Sequence, residues 1–275
     1  MNNRITIQVV TRDRHAETAM LIQSLRTQTV QNWDLIVLDD ASGTPIGNCY
    51  FLTALFNRLK LEGHKIKAIR NPVSFGVCYA RNKAIEIDLA EFNNRFACRL
   101  DDDVLLEKDY LEKMLGIIDE GYDLASGVVP LLAMPELQRE TKYVGKVINE
   151  HVILNGELVL NKDECGFAYL DEKVIPTHQF RTNCLMKREV QEVVKYPDML
   201  SKVGFREEGW FSLRAQALGF KIGVNTQAIA YHLQCPSGGC RSPNYPADVQ
   251  NDDQLFRDWI RKETREGKTL LARYE

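Results

Sequence analysis

The chain has 275 residues, and its 35 Lys and Arg against 38 Asp and Glu give a formal net charge of −3 at pH 7. Hydrophobic residues make up 44% and charged residues 27%, which is typical of a globular protein and excludes a disordered or collagen-like chain. Proteins that bind duplex DNA usually carry an excess of basic residues, so the charge argues against a nucleic-acid partner.

The cysteines and the apolar runs predict the compartment. Seven cysteines are scattered along the chain, unlike the disulfide framework of a small secreted protein. No apolar run approaches the about 18 residues of a membrane span, and the N-terminal residues lead directly into a strand pattern rather than a signal peptide. We therefore expect a cytoplasmic protein without a transmembrane segment.

The first 130 residues alternate between short apolar runs and segments with helical periodicity, which predicts parallel βαβ units in one sheet. Strands are predicted at Ile5–Val10, Leu35–Leu38, Ile66–Arg70, Phe96–Leu100 and Leu124–Val129. Helices are predicted at Thr18–Gln28, around Cys49–Leu59, at Val77–Leu89 and around Tyr110–Ile118.

After Pro130 the pattern is less regular, with a hairpin candidate at Asn155-Gly156. The later predicted elements are helices at Arg188–Lys195 and Glu208–Leu218, strands at Lys221–Val224 and Ala228–Tyr231, and a last helix from Asp252 to about Glu266. No Pro-, Gly- or Ser-rich linker divides the chain. We therefore predict one domain over residues 1–250, with halves at 1–130 and 131–250, followed by a C-terminal helix within 251–275.

Acidic residues follow two predicted strands, at the edge where open α/β sheets bind ligands. Asp39-Asp40 follows the second strand, and Asp101-Asp102-Asp103 follows the fourth. Three adjacent carboxylates repel one another unless a cation is present, and such oxygen ligands suit the Mg²⁺ or Mn²⁺ that accompanies a diphosphate. The alternative is an acidic first turn that complements a helix dipole. No G-x-G-x-x-G motif follows a strand, which argues against a nicotinamide-binding domain.

Five segments occur in a characteristic order, at Val9–Asp13, Ser24–Thr29 with Asp34–Ser42, Asn71–Ala84, Leu100–Leu105 and Glu207–Ile222. Together they resemble the family 2 glycosyltransferases, inverting enzymes that use nucleotide sugars and have the A-type fold. The resemblance implies an α/β fold with a single Rossmann-like nucleotide-sugar-binding domain, a mostly parallel central sheet and a C-terminal helical and loop extension. The first half would bind the nucleotide, and the second half would supply the acceptor surface and the catalytic base.

The resemblance implies a donor site built on the strand ends. Asp40 would accept the ring N–H of the nucleobase, uracil in many family members, and Thr11 would line the same pocket. A turn-forming role for Asp40 is compatible with that contact. Asp101 would reach the ribose or the metal, and Asp103 would coordinate Mn²⁺ or Mg²⁺. Asp102 would point away or contact the donor sugar.

Two further residues have competing interpretations. Arg81 heads a helix after a glycine-containing turn, so it would face the diphosphate or pair with a carboxylate. His232 follows the last predicted strand, where the resemblance implies a histidine that completes the metal shell. A hydrogen-bonded core histidine is the alternative.

The acidic pair Glu207-Glu208 stands where the family has Glu-Asp at the start of a helix. The resemblance places the base that deprotonates the acceptor hydroxyl at Glu208, with Glu207 as the alternative base. Both glutamates would also stabilise the helix dipole without any catalytic role. Trp210 and Phe211 would offer an aromatic face to an acceptor sugar or pack in the core.

The loop between Cys235 and Cys240 and the last helix are less specific. The loop has too few suitably spaced ligands for zinc, so a Gly-containing lid over the donor is favoured. Basic residues on the last helix could touch an anionic membrane surface, which leaves a peripheral location open, but their mixture with acids favours a solvated helix.

These features predict a metal-dependent inverting glycosyltransferase. It would move a sugar from a nucleoside-diphosphate sugar, a UDP-sugar in the first instance, to a hydroxyl of a saccharide or another acceptor. One alternative is a nucleotidyltransferase of related fold, but Thr11–His15 lacks the glycines of its phosphate loop. The other is a catalytically silent sugar- or nucleotide-binding protein, which the Glu-Glu departure keeps open.

Overall fold

The structure is a computed structural model that describes residues 2–133, 151–154, 157–160, 174–177, 179–180 and 182–265. The strands are β1 Asn2–Thr11, β2 Trp33–Asp39, β3 Ile66–Arg70, β4 Asn94–Asp101, β5 Val104–Leu106, β6 Leu124–Val128, β7 His151–Leu154, β8 Glu157–Leu160, β9 Val174–Pro176, β10 Cys184–Lys187 and β11 Ile222–His232. The α-helices are α1 His15–Arg26, α2 Tyr50–Leu61, α3 Val77–Glu91, α4 Tyr110–Asp119, α5 Arg188–Val193, α6 Glu207–Ala217 and α7 Tyr245–Arg265, and Ile46–Asn48 forms a short 3-10 helix.

Within the described residues, nine strands form one sheet in the order β3-β2-β1-β4-β10-β6-β11-β5, with β9 beside β11. Strands β3, β2, β1 and β4 run parallel to one another, as do β6 and β11. Strand β10 is antiparallel to both β4 and β6, and β5 and β9 are antiparallel to β11. The predicted α/β fold is confirmed, and the sheet is mixed rather than purely parallel, because short strands outside the predicted βαβ units enter it.

The parallel part of the sheet is covered by helices on both faces, which explains why β2 is buried along its whole length. Alternate residues of a strand point to opposite faces. Leu35 accordingly packs in the core that contains Leu21 of α1, whereas Ile36 packs against Ala84 and Ile87 of α3.

In the second half, strand β10 was not predicted, and two predicted elements have clearly different bounds in the structure. The strands predicted at 221–224 and 228–231 are one strand, β11, whose pairing with β6 shifts register between Val224 and Ile229. The last helix begins at Tyr245 rather than at Asp252. Strands β7 and β8 pair antiparallel on either side of the hairpin candidate Asn155-Gly156, which itself lies outside the described residues.

The topology brings distant segments to one edge of the sheet. The carboxyl ends of β1 and β4 lie side by side, because Val10 pairs with Asp101. The end of β11 joins them through β5, where His232 pairs with Val104. In the part of the chain that the structure describes, no helix is long and apolar enough to span a membrane.

Candidate active site

A cleft of about 620 Å³ lies at the carboxyl ends of β1 and β4. Its walls include Thr11 and Asp101 from these strands, Arg81 from α3, Glu208 from α6 and His232 from β11. Open α/β sheets bind ligands at this edge. Both predicted halves of the chain therefore contribute to one candidate site.

The aspartate triplet is divided between two guanidinium groups. Asp101, whose side chain is 26% exposed, accepts a hydrogen bond from Arg81. Asp102 and Asp103 are buried, and the Nη1 atom of Arg14 lies 2.9 Å from Oδ1 of Asp102 and 3.0 Å from Oδ2 of Asp103. For Arg81 the structure shows the carboxylate pairing that was the alternative to a diphosphate contact, although Arg81 also lines the cleft.

Burial changes the proton affinity of these groups. It raises the pKa of Asp102 to about 7, against the opposing effect of Arg14. Burial by itself would lower the pKa of Arg14, but the nearby charges of Asp102 and Asp103 raise it above its ordinary value. Arg14 is therefore a permanent cation beside the triplet, and the sequence pattern had not singled it out.

His232 and Asp103 form the part of the predicted metal site that the fold brings together. His232 Nε2 lies 3.3 Å from Asp103 Oδ1, a buried oxygen that makes no hydrogen bond within the described residues. A carboxylate oxygen beside an imidazole nitrogen is a donor set that suits Mn²⁺, so these two residues fit a divalent cation. The described residues contain no group of three His, Cys, Asp or Glu arranged to hold a metal ion, so the predicted metal role of Asp101 stays a prediction.

Asp40 is fully buried and saturated with hydrogen bonds. Its Oδ1 accepts from Asn71 Nδ2 at 2.8 Å and from the Phe75 amide at 3.1 Å. Its Oδ2 accepts from Ser74 Oγ at 2.7 Å and from the Gly76 amide at 3.0 Å. The carboxylate thus holds the segment before α3, and the predicted nucleobase contact, which stays a prediction, would have to displace one of these donors. Thr11, the other residue predicted for that pocket, lines the cleft.

The two glutamates at the start of α6 lie in different surroundings. Glu207 is buried and accepts from Arg99 Nη1 at 2.7 Å and from Arg99 Nη2 at 2.6 Å. Burial raises the pKa of Glu207 to about 7, with Arg99 acting in the opposite direction. The Glu208 side chain is 27% exposed to the cleft, and its Oε1 accepts from the Thr182 amide at 3.1 Å. Of the two glutamates, Glu208 is therefore the more accessible carboxylate.

Arg99 is the main site residue that the sequence reasoning missed. It lies within β4 and is 1% exposed. The signal was a single arginine inside an apolar strand, Phe96–Leu100, since such a buried charge requires a partner. The partner, Glu207, lies too far along the chain to be identified from spacing.

The aromatic residues of α6 do not face the cleft. Phe211 is fully buried, and Trp210 is 6% exposed and stacks on Trp259 of α7 with ring centroids 4.1 Å apart. Trp210 also packs with Phe256 and Ile260 of α7. Of the two interpretations, the structure shows core packing rather than an aromatic face towards the cleft, and Trp210 attaches α7 to α6.

The loop from Cys235 to Arg241 closes one rim of the cleft. The Gly239 amide donates to the Arg12 carbonyl at 2.8 Å, and Arg14 Nε donates to the Ser237 carbonyl at 3.1 Å. Gly238 has φ +71, and a Cβ atom there would lie 2.8 Å from the Asp13 carbonyl oxygen. The loop therefore needs glycine to approach the segment after β1 so closely, a geometry that agrees with a lid.

Comparison with known proteins identifies a family by sequence. A family model described as "Glycosyl transferase family 2" matches residues 6–190. No curated protein sequence matches the chain.

Solved structures with the same fold have low sequence identity to this chain. Staphylococcus aureus TarS 1–349, in complex with UDP-GlcNAc, is 16% identical with a TM-score of 0.60, and the match covers 92% of this chain and 65% of that one. The mannosyltransferase PcManGT of Pyrobaculum calidifontis, with GDP-Man and Mn²⁺, is 12% identical with a TM-score of 0.59, covering 99% and 71%. GalNAc-T7, with UDP, GalNAc and Mn²⁺, is 14% identical with a TM-score of 0.67, covering 99% and 52%. The chain thus spans about two thirds or less of two of these proteins.

Proposed function

The chain belongs to glycosyl transferase family 2, and we propose that it transfers a sugar from a nucleoside-diphosphate donor to an acceptor hydroxyl with inversion at the anomeric carbon. The observation that carries the proposal is Glu208, a partly exposed carboxylate in the same cleft as Asp101 and His232. The donors and Mn²⁺ named for the proteins of similar fold support a nucleotide sugar and a divalent cation.

The residues of the cleft account for the single displacement. Glu208 accepts the proton of the acceptor hydroxyl as its oxygen forms a bond to the anomeric carbon from the side opposite the leaving group. The bond from that carbon to the diphosphate oxygen breaks, and the nucleoside diphosphate leaves. Asp103 and His232 would hold the divalent cation, which neutralises the charge that develops on the diphosphate.

A catalytically silent binding protein is the alternative to be excluded. It would bind the donor through the strand ends and give Glu208 no role. Glu208→Gln separates the two, because the amide keeps the size of the side chain but accepts no proton. The matched control is Glu189→Gln, which alters an exposed glutamate in the first turn of α5.

The experiment uses UDP-GlcNAc, UDP-GalNAc and GDP-mannose as donors with Mn²⁺, and monosaccharides and water as acceptors. We expect Glu208→Gln to lower kcat about 10²- to 10⁴-fold while the donor Kd stays within about threefold. NMR of the product should show an inverted anomeric centre. Full transfer by Glu208→Gln, or a retained configuration, would refute the proposed mechanism.

A further inference from the structure

We propose that Arg99 is a positioning residue, which holds Glu207 and thereby keeps Glu208 at a set place in the cleft relative to Asp101. The inference rests on the proposed function, because only transfer gives Glu208 a proton to remove. Arg99 lies within β4, is not among the residues that line the cleft and belongs to neither acidic motif.

Arg99 and Glu207 form a buried ion pair. Arg99 and Glu207 are 1% and 5% exposed, so both groups are almost entirely shielded from solvent. Buried charges of this kind require a partner with good geometry. Two parallel hydrogen bonds of 2.6 and 2.7 Å supply it, and this forked contact fixes both the distance and the orientation of Glu207.

One nitrogen atom of Arg99 lies close to three carboxylates. Arg99 Nη2 lies 2.6 Å from Glu207 Oε1, 3.3 Å from Glu208 Oε1 and 3.6 Å from Asp101 Oδ1. One guanidinium group therefore lies between the carboxylate of the donor side and the carboxylate of the proposed base. Arg99 and Asp101 belong to the same strand. The contacts of Arg99 therefore fix the position of the start of α6 relative to the end of β4.

The guanidinium group of Arg99 is itself held by neighbouring side chains. Its Nη1 atom donates a hydrogen bond to the Tyr196 hydroxyl at 3.2 Å. Its Cζ atom lies 5.3 Å from the ring centroid of Phe180 and 5.5 Å from that of Tyr196. These contacts leave Arg99 little freedom to rotate. A rigid cation is what a fixed position of Glu207 requires.

Helix α6 begins without a side-chain capping bond. Its N-cap residue, Arg206, has φ +74 and makes no side-chain capping bond. The first turn is therefore not held by the usual cap. The ion pair between Arg99 and Glu207 is positioned to hold that turn, and Glu208 is the next residue along it.

These contacts predict a specific kinetic effect. A shift of about 1 Å in a reacting group can reduce a rate about 100-fold. Asp102 and Asp103 keep their own partner, Arg14, so donor binding does not depend on Arg99 in the same way. Loss of Arg99 should therefore lower kcat much more than it raises the donor KM.

The test compares Arg99→Lys with the double variant Arg99→Met/Glu207→Leu. The double variant removes both charges, because an unpaired buried Glu207 could unfold the protein. With the donors and acceptors described above, we expect it to lower kcat about 100-fold with the donor KM within about threefold. Arg99→Lys keeps the positive charge but cannot make two parallel hydrogen bonds to Glu207. Its kcat should therefore be about tenfold higher than that of the double variant. The control is Arg4→Met, which removes the forked contact between Arg4 and Asp34 far from the cleft and should leave kcat unchanged.

Crystal structures of the wild-type protein and of the double variant give a readout without activity. Displacement of the Glu208 carboxylate by about 1 Å or more supports the proposal. An unmoved Glu208, or equal effects on kcat and KM, overturns it. If the wild-type protein turns over no nucleotide sugar, the proposed function fails, and the two crystal structures still decide whether Arg99 positions Glu208.

Discussion

His232 Nε2 lies 3.3 Å from Asp103 Oδ1, so the end of β11 and the aspartate triplet meet at one point. The contact depends on β5, which pairs Val104 with His232 immediately after the triplet. Sequence spacing alone does not bring these two residues together. Their proximity is the observation that supports the proposed divalent cation at this edge of the sheet.

Removing either residue of this pair should weaken metal binding. We expect Asp103→Ala and His232→Ala each to lower the Mn²⁺ affinity about 10- to 100-fold, measured by titration calorimetry with UDP present. Asp109→Ala is the control, because Asp109 lies at the start of α4 and pairs with Lys113. An unchanged affinity in both variants would show that the cation binds elsewhere.

Asp40→Ala should destabilise the fold whether or not Asp40 contacts a nucleobase. The substitution leaves the buried donors of Asn71 and Gly76 and the partly buried amide of Phe75 without their acceptor, which should cost about 3 kcal/mol of unfolding free energy in urea. The exposed Asp119 gives a control, since Asp119→Ala should change stability by less than about 0.5 kcal/mol. A stability loss as small as that of the control would contradict the assigned hydrogen bonds.

Gly238→Ala should release the loop over the cleft. A Cβ atom at φ +71 and 2.8 Å from the Asp13 carbonyl oxygen strains the loop by about 1–3 kcal/mol. Hydrogen exchange of the Gly239 amide, which donates to the Arg12 carbonyl, should accelerate about tenfold or more. Gly47→Ala is the matched control because a Cβ at Gly47 meets no atom within 4 Å. Equal exchange rates in both variants would argue against a glycine-dependent contact.

The attachment of α7 should weaken in acid. Burial acts to raise the pKa of Asp253, but hydrogen bonds from Arg257 and Arg206 outweigh it and lower that pKa below the ordinary 3.8. Because the folded-state pKa is the lower one, the stabilisation is present above about pH 4 and is lost as the pH falls through the folded value. The difference in unfolding free energy between wild type and Asp253→Asn should be about 0.5–1 kcal/mol at pH 7 and shrink below pH 4. A difference at pH 3 as large as the difference at pH 7 would contradict the assignment.

The repeating βα pattern of the first half could be predicted because each element carries its own signal. The strand Ile66–Arg70 was predicted with its observed bounds, and the helix that begins at Val77 was predicted with its observed start. Strands β5 and β10 carry no such signal, since three and four residues are too few for a periodicity. Their place in the sheet is decided by long-range pairing, which is why the mixed sheet could not be predicted.

The candidate site shows the same division between local and distant information. The acidic triplet was recognisable from its place after a predicted strand, and the Glu207-Glu208 pair from the resemblance to the family 2 glycosyltransferases. The partners of these residues were not, because Arg14 and Arg99 contact them across the fold. The side-chain environment that distinguishes Glu207 from Glu208 follows from those partners alone.

Strand β10 has a consequence for how such proteins can be recombined. It belongs to the second half but lies between β4 and β6, which both belong to the first. A fragment that ends near residue 130 would expose unpaired edges on these two strands, which invite aggregation. Exchange of the second half between family members must therefore keep Cys184–Lys187 together with the strands of the first half, rather than cut the chain near residue 130.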